Sequence, residues 1–168
     1  MREKEVLKGY FVRDDGTVRT KSGKITTGTL KRTGYHQVTM YVNRKMITRM
    51  IHRLVAQAFV ENPRPDLFDR VDHIDHNTHN NSFTNLRWVD GDLNKMHVRG
   101  DCVEYIKTNT QRPWCSRPYR MKRMSFKTRE EAVACSMRRK RERFEKLYKE
   151  KLESEPRFKS VGVQTDVC

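Results

Sequence analysis

The chain has 168 residues, of which 35% are hydrophobic and 34% are charged. This length and composition fit one ordinary domain or two small ones with modest cores, and exclude a single large core. Lysine and arginine total 36 against 21 acidic residues, giving a formal net charge of +15, so a polyanion is the expected partner. Charge alone does not distinguish nucleic acid from an anionic membrane.

The hydropathy pattern predicts where in the cell the protein is found, and the cysteine spacing indicates which cysteine-based sites are not expected. The apolar runs are far shorter than the roughly 20 residues of a membrane span, and the N-terminus lacks the apolar stretch of a secretory signal. We therefore expect an intracellular protein, in the cytoplasm or nucleus of a host, neither secreted nor in a membrane. The cysteines form no C-x-x-C pair, which argues against a zinc site and a disulfide framework; they are Cys102, Cys115, Cys135 and Cys168.

The N-terminal part of the chain has the pattern of short strands followed by a helix. An Asp-Asp-Gly turn at residues 14–16 separates two short strand-like runs. Residues 35–42 alternate between apolar and polar side chains, which predicts a strand with one buried face. Residues 48–60 carry apolar side chains at helical spacing, so we expect a helix capped by Thr48.

Residues 69–98 hold the densest group of polar side chains. Their order is a strand at 70–74, a loop rich in histidine and asparagine, a strand at 86–89, and a short helix capped by Asp90. Neighbouring side chains on a strand point to opposite faces, so Asp72 and His73 can have different partners.

Asp72, His73 and Asn94 are the candidate reaction centre. A hairpin packed on the following helix would bring Asn94 back beside Asp72. A carboxylate and an amide oxygen suit Mg²⁺ or Mn²⁺, and a neutral imidazole can take a proton from water. Together these groups fit the hydrolysis of a phosphodiester.

A second unit begins near residue 102. Strands are expected at 103–107, 114–120 and 124–127, and Thr128 with Glu131 forms a capping box for a helix reaching about residue 152. The side chains expected on the inward face of this helix are Ala132, Val133, Cys135, Ser136, Met137, Phe144, Leu147 and Tyr148. The predicted fold class is therefore α+β.

The polar constellation resembles the HNH, or ββα-metal, nuclease motif, and in particular the homing endonucleases of bacteriophages and large viruses. The matching residues are Val71-Asp72-His73-Ile74-Asp75-His76-Asn77, Asn80-Asn81, Thr84-Asn85-Leu86-Arg87-Trp88-Val89 and Asn94. The Gly-Tyr-His strand at 34–36 and the helix at 52–59 also resemble that branch, so the likeness covers about residues 8–97.

The resemblance implies a role for each matching residue. His73 would be the general base, Asp72 and Asn94 the ligands of one Mg²⁺ or Mn²⁺, and Asn85 the brace of the loop that aims His73. The chain departs from the family where His76 replaces a frequent glycine. It also lacks the zinc-binding cysteine pairs of some HNH enzymes, so zinc is not expected.

Residues 103–150 resemble, more weakly, the Apetala2-type DNA-binding module, in which a three-stranded sheet lies on a helix and enters the major groove. The hairpin glycine of that family is replaced here by Met121-Lys122. The residues expected to contact DNA are Arg112, Trp114, Arg117, Arg120 and Arg123 on the strands, Arg138, Arg139 and Lys140 on the helix, and Arg87 near the reaction centre.

The resemblances predict a metal-dependent endonuclease acting on double-stranded DNA and leaving a 5′-phosphate and a 3′-hydroxyl. Residues 1–100 would form the nuclease domain with its β-rich platform, 101–153 the DNA-binding module, and 154–168 a flexible tail. One site cuts one strand, so a monomer should nick, whereas a dimer could break both strands. The alternatives are a non-catalytic sequence-specific DNA-binding regulator with a decayed nuclease fold, and an enzyme that processes structured RNA.

Overall fold

The computed structural model describes residues 1–98, 102–118 and 120–155. These residues form the predicted α+β architecture of small antiparallel sheets and three α-helices. None of the described helices is both long enough and apolar enough to cross a membrane. Residues 156–168, most of the tail predicted at 154–168, lie outside the described part.

Seven strands form the N-terminal platform. They are arranged as two antiparallel sheets with the orders β1-β2-β3-β4 and β5-β6-β7. The strands are β1 (Glu3–Leu7), β2 (Tyr10–Arg13), β3 (Val18–Arg19), β4 (Ile25–Thr26), β5 (Thr29–Leu30), β6 (His36–Val42) and β7 (Lys45–Met50). The predicted alternation holds in β6, where Val38, Met40 and Val42 are buried and Thr39 and Tyr41 are exposed.

The first helix, α1, covers Ile51–Phe59, so the prediction that Thr48 caps it was wrong. Thr48 lies within β7 opposite Thr39 of β6, and their hydroxyl oxygens are 3.0 Å apart. The cross-strand pairing continues through Met50 and uses the residues that the helical spacing had assigned to the first turn. Cross-strand pairing between β6 and β7 therefore outweighs the local capping preference of Thr48.

The polar constellation folds as a hairpin followed by a helix, in the predicted order. β8 (Arg70–His73) pairs with β9 (Leu86–Val89), a 3₁₀ turn at Phe83–Asn85 precedes β9, and α2 covers Gly91–Val98. Asp90 caps α2 as predicted, because its Oδ1 accepts a hydrogen bond from the amide of Leu93 at 2.9 Å.

The second unit is a three-stranded antiparallel sheet followed by the longest helix. The strands β10 (Val103–Tyr105), β11 (Trp114–Ser116) and β12 (Met124–Phe126) lie in chain order, and α3 covers Arg129–Glu153. The predicted capping box of Thr128 and Glu131 is present. Met137 is 61% exposed, so its assignment to the inward face was wrong: it lies beyond the buried arc of Ala132, Cys135 and Ser136.

The buried hydrophobic residues of the described part of the chain form two modest cores and no single large one, as the composition predicts. The first joins the platform to α1 and Leu86. The second is shared between the hairpin, α2 and the C-terminal half of α3, and its apolar members are Phe68, Val89, Leu93, Met96 and Phe144, with Leu67, Trp88, Leu147 and Tyr148 packed against them.

The end of α3 is also fixed to the hairpin region by polar contacts. Buried Arg64 donates from Nη1 to the carbonyl oxygens of Lys151 at 2.6 Å and of Ser154 at 2.7 Å. The Lys151 ammonium pairs with the Asp90 carboxylate that caps α2. The domain boundary near residue 101 stays a prediction, but the two regions that it separates share a core through α3.

Candidate active site

Strand β8 carries the two reactive residues that the sequence singles out. Asp72 is 5% and His73 is 4% exposed, and their partners differ as strand alternation predicts. Asp72 lies opposite Arg87 on β9, whereas the His73 ring lies near the rings of Tyr35 and His52. A buried carboxylate and a buried imidazole are therefore adjacent in the chain but held by separate sets of contacts.

The Asp72 carboxylate is paired with the guanidinium of Arg87. Arg87 donates to Asp72 Oδ2 from Nε at 2.9 Å and approaches the same oxygen with Nη2 at 2.8 Å. The Arg87 Cζ atom lies 3.8 Å from the centre of the Phe144 ring on α3. The sequence analysis placed Arg87 among the residues expected to contact DNA, which stays a prediction; the Arg87 guanidinium contacts the Asp72 carboxylate and the Phe144 ring.

The His73 imidazole is oriented by Asn81, a contact that sequence reasoning missed. Nε2 of His73 donates to Oδ1 of Asn81 at 3.1 Å, and Asn81 is only 5% exposed. In this tautomer Nε2 carries the proton, so Nδ1 is the ring nitrogen that can accept a proton from water. The Asn-Asn pair at residues 80–81 was visible in the motif, but the sequence alone did not indicate which amide meets the imidazole.

The N-terminal platform holds Asn81 in place. Gly16, at the β2–β3 turn, has φ +88°, and a Cβ built there would lie 2.8 Å from the carbonyl carbon of Asn81. The Phe83 amide donates to the Asp14 carbonyl of the same turn at 3.0 Å. This close approach requires a residue without a side chain at position 16.

Further contacts tie the same loop to the second platform sheet. The Thr78 hydroxyl donates to the Gly34 carbonyl at 2.6 Å. His36 donates from Nδ1 to the Thr27 carbonyl at 3.0 Å, which leaves its Nε2 to accept a hydrogen bond from Nδ1 of His79 at 2.9 Å. The platform is therefore the support of the loop that carries Asn81.

Asn85 braces the loop from the opposite side. Its Nδ2 donates to Asp75 Oδ1 and to the Asn80 carbonyl, both at 2.8 Å, and its Oδ1 accepts from the Asp75 amide at 3.1 Å. Burial alone would raise the pKa of Asp75, but hydrogen bonds from Asn80, from the Asn77 amide and from Asn85, and then the charge of His73, lower that pKa below its ordinary value. The role of Asn85 in aiming His73 stays a prediction.

His52 of α1 lies beneath the His73 ring. It is buried, and its ring centre is 5.2 Å from that of His73 and 5.1 Å from that of Tyr35. Burial, and then the positive charges of His73 and Arg53, lower the pKa of His52 to about 4. Its Nδ1 has no hydrogen-bond partner among the described residues. His52 is thus neutral at neutral pH and packs between the rings of Tyr35 and His73.

Asp72 and Asn94 are the oxygen donors expected for a metal ion. Asn94 is half-buried on α2, and α2 packs against β8. Within residues 1–98, 102–118 and 120–155, no group of three or more His, Cys, Asp or Glu side chains is placed to hold a metal. The donor set fits a hard divalent cation that completes its coordination with water and phosphate, as Mg²⁺ does. The roles of Asp72 and Asn94 as metal ligands stay predictions.

The basic residues expected on DNA are distributed over the C-terminal unit. Arg112, Arg117 and Arg120 are exposed, and Arg120 has a φ of +56°. Trp114 is half-buried, with its ring 5.1 Å from that of Tyr105. Arg123 donates to the Cys115 sulfur at 3.2 Å, and its Nη2 lies 3.6 Å from Glu104.

Of the helix residues in this set, Arg139 lines a basic cleft of about 460 Å³. Its basic lining residues are Arg120, Lys122, Arg139, Arg143 and Lys146. Arg139 donates to the Lys122 carbonyl at 3.0 Å, Arg138 lies 3.9 Å from Glu142, and Lys140 is half-buried. Contact of these side chains with DNA stays a prediction.

Comparison with known proteins gives two curated relatives and one solved structure. The chain is 41% identical over 86 residues to DNA endonuclease I-HmuI of Bacillus phage SP01, which covers 51% of this chain and 48% of that protein. It is 35% identical over 90 residues to the uncharacterized HNH endonuclease L245 of Acanthamoeba polyphaga mimivirus, covering 53% of this chain and 26% of that protein.

The solved structure is that of the HNH homing endonuclease I-HmuI, described for its DNA binding and cleavage. It superposes with a TM-score of 0.51 at 37% identity, over 56% of each chain. No protein-family model matches the chain. The matches therefore span about half of I-HmuI and about a quarter of the mimivirus protein.

Proposed function

We propose that the protein is a metal-dependent endonuclease of double-stranded DNA, because about half of the chain is similar in sequence and in fold to the HNH homing endonuclease I-HmuI. The observation that carries this proposal is the His73 imidazole, buried on β8 beside Asp72 and held through Nε2 by Asn81. A general base needs a fixed orientation and one open ring nitrogen, and this hydrogen bond provides both.

In the proposed reaction, His73 Nδ1 takes a proton from a water molecule as its oxygen attacks phosphorus in line. The bond from phosphorus to the 3′ oxygen breaks, which leaves a 5′-phosphate and a 3′-hydroxyl once the departing oxygen is protonated. Asp72 and Asn94 would hold one Mg²⁺ or Mn²⁺. When bound, the cation supplies positive charge near the phosphate oxygens and the leaving oxygen. One such site per chain implies that a monomer nicks one strand.

DNA positioning is assigned to the C-terminal unit. The net charge of +15 favours a polyanion, and the exposed arginines on and around β10–β12, together with the basic face of α3, offer phosphate contacts by residues other than the reacting ones. This division of tasks makes DNA affinity and cleavage separable by mutation.

The test is cleavage of supercoiled plasmid by the full chain. His73→Ala should lower the cleavage rate by at least about 100-fold with little change in DNA affinity, as expected for the loss of a general base. His76→Asn is the matched control, because His76 is an exposed histidine with φ +62° that asparagine tolerates, and it should cleave like wild type.

Each other outcome points to an alternative. Sequence-specific DNA binding without cleavage under any divalent metal would favour the non-catalytic regulator, and preferential cleavage of structured RNA would favour an RNA-processing enzyme. Loss of cleavage in His76→Asn alone would move the metal or base role to His76. Wild-type cleavage by His73→Ala would refute the proposed site.

A further inference from the structure

Helix α3 is linked to the proposed metal ligand, Asp72, by contacts of Phe144 and Arg87. Phe144 is 6% exposed, and the Arg87 Cζ atom lies 3.8 Å from the centre of its ring. The same guanidinium contacts one oxygen of Asp72, Oδ2, from Nη2 at 2.8 Å and from Nε at 2.9 Å. A continuous line of contacts therefore runs from the C-terminal unit to the carboxylate.

The Phe144 ring is itself fixed by an aromatic stack. Its centre is 5.8 Å from that of Tyr148 at an interplanar angle of 14°, and Tyr148 lies 5.3 Å from Phe68 at 19°. Phe68 is fully buried in the core that α3 shares with the hairpin. A guanidinium that lies over such a ring has a restricted position, since the ring face attracts the cation and limits its rotation.

The orientation of Arg87 matters because Asp72 is buried. A carboxylate on a strand can rotate about its terminal torsion, and two donors on the same oxygen restrict that rotation. The direction in which the carboxylate faces an approaching cation therefore depends on where Arg87 is held.

We propose that Phe144 is a positioning residue of the active site: by fixing Arg87, α3 orients Asp72 for the divalent cation, so the C-terminal unit sets the metal affinity of the site. This inference rests on the proposed function only in taking Asp72 as a cation ligand. It assigns to α3 a part in the chemistry beside its expected part in DNA binding.

Mn²⁺ binding to the full chain, followed by the electron paramagnetic resonance signal of free Mn²⁺ without DNA, tests the inference apart from cleavage. Phe144→Leu should weaken Mn²⁺ binding by roughly three- to ten-fold, the size expected of one partly buried cation–π contact. Phe144→Tyr keeps the ring and should bind like wild type. Leu147→Ala is the matched control: Leu147 lies on α3 and packs against the same core, but it has no ring in the stack that holds Phe144, so this variant should bind Mn²⁺ like wild type.

A double-mutant cycle with Arg87→Lys completes the test. Lysine cannot reproduce the planar stack or the two donors, so Phe144→Leu should add little to the loss already caused by Arg87→Lys. Thermal unfolding of each variant shows whether it is folded. An equal loss in Leu147→Ala and Phe144→Leu, or wild-type binding by Phe144→Leu, would overturn the inference.

The control for the proposed function is Asp72→Asn. If wild type binds Mn²⁺ and Asp72→Asn binds it equally well, the proposed metal site is wrong whatever Phe144 does. If Asp72→Asn loses binding while Phe144→Leu keeps it, the proposed site stands and the role of Phe144 is rejected.

Discussion

Asn81→Ala is the substitution that most sharply separates orientation of the base from folding. It removes the oxygen that accepts the hydrogen bond from His73 Nε2 at 3.1 Å, where both side chains are buried. A buried donor left without its acceptor costs about 1–3 kcal/mol. The cost is greater in the transition state, where His73 has gained a proton and the lost bond would be assisted by charge.

We therefore expect kcat for plasmid nicking to fall by about 10- to 100-fold, which corresponds to roughly 1.4–2.8 kcal/mol, with KM for DNA nearly unchanged. Asn81→Asp keeps an acceptor oxygen at the same place and should recover much of the activity. Asn80→Ala is the matched control, because exposed Asn80 donates to Asp75 Oδ2 at 2.8 Å. A folded Asn81→Ala protein with wild-type kcat would show that Asn81 does not orient the base.

Three further predictions concern the platform, the acid limit and the DNA contacts. Gly16→Ala places a Cβ 2.8 Å from Asn81 at a φ of +88°, so it should lower both the melting temperature and kcat. A variant with the melting temperature and kcat of wild type would refute the support role of this turn. Because the pKa of His52 is about 4 in the fold, against an ordinary 6.5, the unfolded chain binds this proton more readily. The contribution of neutral His52 to the free energy of unfolding should be fully present above pH 6.5. It should fall by up to about 3 kcal/mol as pH approaches 4. His52→Leu should reduce this loss in denaturant titrations, and an identical pH profile would contradict the assignment. Arg117→Ala should reduce the slope of log affinity against log salt by roughly 0.9 if this exposed arginine contacts one phosphate, and an unchanged slope would exclude that contact.

Local patterns predicted the fold well wherever the deciding contacts are close in sequence. The β9 strand agrees at both ends with the predicted residues 86–89, and the caps at Asp90 and Thr128 are those expected. These features depend on residues within about one helical turn of each other, which a single sequence displays directly.

The sequence was less informative where contacts between distant segments determine the local structure or the contacts of a site residue. Thr48 was expected to cap a helix, but its pairing with Thr39 extends β7 instead. The contact of Asn81 with His73 depends on a turn at Gly16, some 65 residues away, and Phe144 meets Arg87 only after α3 folds back on the hairpin. No periodicity or spacing rule records which of several asparagines or aromatic residues makes such a contact.

We propose that this chain hydrolyses DNA with a divalent cation at a single site. Supercoiled plasmid incubated with the purified full chain tests it most directly, with Mg²⁺ in one reaction and excess EDTA in a parallel one. We expect open-circular product only with Mg²⁺, with a 3′-hydroxyl at the nick that a DNA polymerase extends. Equal nicking in EDTA, or no nicking with either Mg²⁺ or Mn²⁺, would contradict it.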